Sequence, residues 1–224
     1  MNRSKNTGLI EIALSAALAV SIFYGIGVRY IEGADAFRHY VREEGLAEYA
    51  TAIFLFAGSI IAFCRAFTCC RGKRRLPVLT WSALAILFFF AAGEEISWGQ
   101  RIFSVESGEF FLRYNKQEET NLHNLVVGGQ DLNMIIFSRM IIFALLFYFV
   151  ILPLLVRKPG FFRNLVVATG LPLPTLRHII IMAVSTALIA VINLSKGSEL
   201  NELVFAVVFF LIFLNPRTIS RVQL

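Results

Sequence analysis

Residues 93–101 read GEEISWGQR, which sets two adjacent carboxylates, Glu94 and Glu95, beside Ser97, Trp98, Gln100 and Arg101 at the end of an apolar run. Residues 115–124 read NKQEETNLHN and add Asn115, Gln117, Glu118, Glu119, Asn121, His123 and Asn124. Carboxylates and an imidazole are the groups that move protons at a reacting centre. With nitrogen and oxygen donors they also suit zinc, iron or manganese. The expected roles follow from residue type. Glu94, Glu95 and His123 are the catalytic candidates, as general base, acid or ligand. Trp98, Gln100, Arg101, Asn115, Gln117, Asn121 and Asn124 are the substrate-binding candidates. Glu94, Glu95, Glu118, Glu119 and His123 are the candidate ligands of a divalent metal. The spacing matches neither the Glu-x-x-His pairs of di-iron bundles nor the His-Glu-x-x-His of zincins.

Geometry sharpens the expectation for the two glutamates. Successive helix residues point ~100° apart, so on a packed helix Glu94 and Glu95 cannot both turn toward one exit. At least one enters the bundle, where a carboxylate requires a proton, a cation or a hydrogen-bond donor. Two like charges side by side also favour capture of a proton or a metal. Were residues 117–124 helical, Glu119 and His123 would share a face at i and i+4.

The elements that must position these groups are membrane-grade. The chain has 224 residues, 57% hydrophobic and 16% charged, with 22 Phe, a composition far from that of a soluble domain. A span needs about 20 apolar residues to cross ~30 Å of hydrocarbon. Six runs are read as spans: 9–28, 46–64, 78–96, 134–156, 178–194 and 200–214. The last is short and is expected to begin near Glu199. The fold class expected is therefore all-α, a polytopic membrane helix bundle forming a single domain over residues 1–224. Residues 97–133 form a long amphipathic outer segment between the third and fourth spans, expected to make one or two short surface helices with a break at Gly128 and Gly129.

Charge sets the orientation. Arg65, Arg71, Lys73, Arg74 and Arg75 share one connecting loop, and Arg157, Lys158, Arg163 and Arg177 another; Arg3, Lys5, Arg217 and Arg221 flank the ends. Cytoplasmic loops retain Lys and Arg, so both termini are expected in the cytoplasm of a bacterial cell, the chain lying in its inner membrane. Of the 15 Asp and Glu, only Glu11 lies toward that side. The net charge of +6 is thus a topology signal, and membrane lipids rather than nucleic acid are the expected partners. The opening MNRSKNTGLIEIALSAALAV has the look of a signal peptide, but its apolar run continues to Val28, which favours an uncleaved first span. Cys64, Cys69 and Cys70 lie at the basic loop, where thiols stay reduced. The connector 157–177, with Phe161, Phe162 and Arg163, suits a segment lying in the interface.

GEEISWGQR, NKQEETNLHN and the EEGLAEYATA that opens the second span (residues 43–52) together resemble a group of bacterial polytopic membrane proteins in which these stretches recur in the same order. The group has no established activity. The resemblance therefore implies a set of motif positions, Glu94, Glu95, Ser97, Trp98, Gly99, Gln100, Arg101, Asn115, Gln117, Glu118, Asn121, His123 and Asn124 among them, and no mechanism. Three functions compete on the residues alone. One is a membrane-embedded enzyme, a hydrolase or transferase with or without a divalent metal, acting on a lipid or lipid-linked substrate at the outer face. Another is a non-catalytic assembly partner whose polar cluster only ties loop to helices. The third, a proton- or cation-coupled transporter, is disfavoured by the nearly featureless inner halves of the spans, since transport sites sit near the midplane.

Overall fold

A computed structural model describes residues 2–42, 45–122, 124–127, 130–131 and 140–217. Among these the regular structure is helical, apart from a two-residue antiparallel ladder of β1 (Val126–Val127) and β2 (Gln130–Asp131). Four helices are long and apolar enough to cross a membrane: Thr7–Glu32, Leu46–Arg71, Arg75–Glu95 and Ser195–Leu214. They mark an integral membrane protein. Two further apolar helices, Ile141–Leu155 and Leu176–Ile192, are shorter.

The chain begins with α1 (Asn2–Gly27), which widens into a π-turn at Val28–Glu32. Gly33, at φ 105°, reverses the chain into the short α2 (Ala34–Tyr40). Sequence reading expects residues 29–45 to be an open loop, yet Phe37 and Val41 are fully buried. The Tyr40 hydroxyl lies 2.7 Å from that of Ser21 on α1, and a Cβ at Gly25 would sit 3.3 Å from the Phe37 and Tyr40 rings. Close approach at a glycine folds this corner onto α1.

α3 (Leu46–Arg71) and α4 (Arg75–Glu95) form a tight antiparallel hairpin. Gly58, Ser59, Ala62 and Ala66 are small residues on the α3 face, opposite Ala85 and Phe88 of α4. Small residues let helix backbones approach where water gives no hydrophobic drive. Ser59 Oγ donates to the Ala85 carbonyl at 2.8 Å, and a Cβ at Gly58 would press on the Phe88 ring at 3.3 Å.

In the segment that follows, α5 (Glu109–Tyr114) is the short α-helix among the described residues. Of the expected fourth span, residues 134–139 lie outside the described residues. The described part runs α6 (Ile141–Leu146), a π-turn at Phe147–Ile151 and α7 (Leu152–Leu155). Pro153 has no N–H to offer the carbonyl one turn back, and the wider turn lies just before it. α8 (Phe161–Thr169), α9 (Leu176–Ile192) and α10 (Ser198–Leu214) complete the chain.

α10 is the axis of the bundle. Its spanning window is 56% buried, against 22–28% for the other three long helices. Val204, Val208, Leu211, Ile212 and Phe213 are wholly enclosed. Phe209 and Phe213 join the rings of Phe88, Tyr148 and Phe149, and Phe210 meets Phe54. The outward faces of the surrounding helices carry Phe23, Phe63, Phe67 and Leu87, all exposed, as lipid-facing surfaces require.

The two ends differ in chemistry. One gathers the N-termini of α3 and α10 with the C-terminus of α4, and carries Glu48, Glu199, Glu202, Glu94 and Glu95. The other carries Arg65, whose Nε and Nη2 donate to the carbonyls of Phe213 and Leu214 at 2.8 and 3.0 Å, capping α10. Glu11 is buried there and accepts from Asn215 Nδ2 at 3.1 Å.

Candidate functional site at the carboxylate-rich end

α4 does not continue past Glu95. Ser97, Trp98 and Gly99 have φ of 46°, 55° and 76°, three consecutive residues in the left-handed region. Only the glycine is at ease there. On a continuing helix Glu94 would share a face with Ser97 and Trp98, but the helix has ended. Trp98 instead folds back over the last turn of α4, its ring 5.4 Å from Phe90 and 6.2 Å from Phe89. Gly93 makes room for it, since a Cβ there would lie 2.8 Å from the indole.

Glu94 ties this turn to the downstream loop. One oxygen accepts from Trp98 Nε1 at 2.9 Å and the other from the Leu122 backbone N–H at 2.6 Å. The carboxylate is buried and both oxygens are held by donors. Ser97 Oγ donates to Glu119 Oε2, Asn121 Nδ2 donates to Ser97 Oγ at 2.9 Å, and Arg101 pairs with Glu119 Oε1.

The loop has its own frame. Residues 117–122 and 124 are turns and bends rather than a helix, so the helical condition for an i, i+4 pairing of Glu119 with His123 is not met. Asn115 Nδ2 donates to the carbonyl and the Oδ1 of Asn121, while Asn115 Oδ1 receives the backbone N–H of Gln117. Asn124 Nδ2 donates to Gln117 Oε1 at 2.6 Å. Gln100 bridges both halves, donating to Ser107 Oγ and accepting from the Thr120 N–H, each at 2.7 Å. Asn115, Asn121, Glu94 and Glu119 are all buried, and a buried polar set of this kind persists only when its members are bonded.

The loop and the helix end therefore meet through hydrogen bonds. Among the described residues no three His, Cys, Asp or Glu are grouped so as to hold a metal ion. Of the expected ligands, Glu94 faces Trp98 and Leu122, Glu119 faces Ser97 and Arg101, Glu118 is exposed at φ 58°, and Glu95 lines a cavity together with Glu119. His123 lies outside the described residues. Asn115, Gln100 and Trp98, expected to bind substrate, have their polar side-chain groups engaged within the protein.

Glu95 is placed differently. It lines a cavity of about 100 Å³ with Glu48 of α3, Glu199 and Glu202 of α10, and Glu119, Arg101, Gln117, Asn121 and Asn124. Five carboxylates thus face one guanidinium, and that guanidinium is paired with Glu119. Lys196 approaches Glu199 at 3.4 Å from the rim. Sequence reading singled out Glu48 and Glu202 as acids at neighbouring helix ends. It did not assign site roles to Ser97, Ser107, Thr120 or Glu199, whose partners depend on how the loop folds. Beside the cavity, between α3 and α4, runs an apolar groove of about 390 Å³ floored by Ala52, Ala92 and Gly93 and walled by Ile53, Phe56, Phe89 and Trp98.

Comparison with protein-family models, with curated proteins and with solved structures finds no match for this chain.

Proposed function

We propose that this is a six-span bacterial inner-membrane protein, with the carboxylate-rich end outside and both termini in the cytoplasm, that binds and processes the headgroup of a membrane amphiphile. The observation that carries this reading is the juxtaposition of the carboxylate cavity with an apolar groove on the flank of two spanning helices. A headgroup in one and a hydrocarbon chain in the other is the occupancy such a pair suits. α9, at 17 residues, is ~26 Å long, close to the hydrocarbon thickness.

Glu95 is the acid–base group of this reading, since it lines the cavity from the end of the helix that also walls the groove. Proton transfer at a headgroup oxygen or nitrogen by a positioned carboxylate serves hydrolysis and group transfer alike. The fully bonded network of Ser97, Asn115, Glu119 and Asn121 then positions rather than reacts. That same network supports a second reading, an assembly partner in which it only fastens loop to bundle.

Lipid extracts from cells overproducing the wild-type chain or Glu95→Gln, compared by mass spectrometry, separate the two. The enzyme reading expects one lipid class to rise or fall with wild type alone. Identical lipid profiles, and identical lipids bound to the two purified proteins, reject it.

A further inference from the structure

The groove and the cavity are neighbours that share lining residues through a narrow cleft. Tyr49, Ile96 and Ile102 line the apolar groove and also line a narrow cleft of about 10 Å³. Glu48 and Arg101 line that cleft and also the carboxylate cavity. An apolar surface and a charged one therefore lie next to each other, with Glu48 and Tyr49 at the boundary.

We propose that the groove between α3 and α4 holds the alkyl chain of an amphiphile whose head is a cationic amine seated among Glu48, Glu95 and Glu202. This rests on the reading of the site as one for a membrane amphiphile and names its chemical class. The groove flanks two spanning helices, so hydrocarbon is the medium that reaches it. Its floor is low because Ala52, Ala92 and Gly93 are small where Ile53, Phe56 and Phe89 stand on either side. The head is assigned by charge complementarity. Five carboxylates surround the cavity, against two cations that are already paired, Arg101 with Glu119 and Lys196 with Glu199 at the rim. An anionic head would meet net repulsion at short range in a site partly shielded from water, whereas an ammonium gains from each carboxylate.

The test uses three amphiphiles with one brominated sixteen-carbon chain and different heads: a primary amine, a sulfate and a maltoside. The chain has two tryptophans; Trp98 lines the groove and Trp81 is buried against Phe213 and Arg65. In a Trp81→Phe variant in maltoside micelles, bromine in the groove quenches Trp98 alone. The amine is expected to quench saturably, with the other two heads requiring at least about tenfold higher concentration. Ala52→Met, which fills the groove floor, is expected to abolish saturable quenching with every head. Glu48→Gln with Glu95→Gln is expected to keep chain binding and erase the preference for the amine. Native mass spectrometry of the unmodified chain with the same three amphiphiles provides the count of bound molecules without the Trp81 substitution.

Equal midpoints for the three heads, or quenching indifferent to Ala52→Met, overturns this proposal. A lipid class that changes with wild type but not Glu95→Gln, seen together with equal midpoints, rejects the amine head and leaves the broader reading standing.

Discussion

Glu94 and Glu95 are chemically identical neighbours with opposite assignments. Glu94 accepts from the Trp98 indole and the Leu122 N–H, so Glu94→Gln turns an amide N–H₂ toward a donor that has lost its acceptor. Such a mismatch in a buried site costs roughly 1–3 kcal/mol, and thermal unfolding in detergent is expected to show it as a lowered transition. Glu95 instead shares its cavity with four other carboxylates. Glu95→Gln relieves like-charge repulsion, so the same melt is expected to stay within about 1 kcal/mol of wild type or to rise. A destabilisation by Glu95→Gln equal to that of Glu94→Gln contradicts the division of roles. That two glutamates stand at a helix end was legible in the sequence. Which one is a clamp was not, because the answer turns on Ser97, Trp98 and Gly99 all adopting positive φ, and residue type foretells that only for the glycine.

At the level of elements, legibility followed the length of the apolar runs. α1, α3, α4 and α10 are long or strongly apolar, and their existence was readable from composition alone. α2 was not, since Phe37 and Tyr40 settle through contact with Gly25 and Ser21 of α1 rather than through any periodicity of their own. A helix over 117–124 would pair Glu119 with His123 at i and i+4, yet Asn115 and Asn121 use their side chains to satisfy the loop backbone, an alternative that Asn and Asp side chains offer to a helix. The central helix brings its own prediction. α10 ends within a buried setting, and the last carbonyls of a helix have no partner inside it. Arg65 supplies two donors to them while its guanidinium lies 5.2 Å above the Trp81 ring. Arg65→Ala removes both bonds and the ring contact, for a loss of about 2 kcal/mol. Arg65→Lys is expected to recover only part of it, because an ammonium has no planar fork to serve two carbonyls at once. Melting temperature ranks the three chains; a lysine variant as stable as wild type argues that charge alone matters there.

The whole molecule poses the question of which way it sits. Its polar chemistry is segregated: the carboxylate cavity lies at the end where α4 stops, while Arg71, Lys73, Arg74 and Arg75 cluster where α3 turns into α4. In the proposed orientation, retention of basic loops in the cytoplasm would put the cavity outside, and six crossings would return the C-terminus to the side of the N-terminus. Two of those crossings rest on the shorter helices, Ile141–Leu155 and Leu176–Ile192, so the placement of the loop between them is the decisive observation. Single cysteines at Glu106 and at Lys158, introduced into a chain whose Cys64, Cys69 and Cys70 are replaced by serine, separate the possibilities with a membrane-impermeant thiol reagent. Both positions are exposed. Glu106→Cys is expected to label in intact cells and Lys158→Cys only after the membrane is opened. Should Lys158→Cys label in intact cells as well, the helix through Ile141–Leu155 does not cross and the bundle has fewer spans than six. If neither labels until the membrane is opened, the cavity faces the cytoplasm, and any amphiphile it takes must come from the inner leaflet.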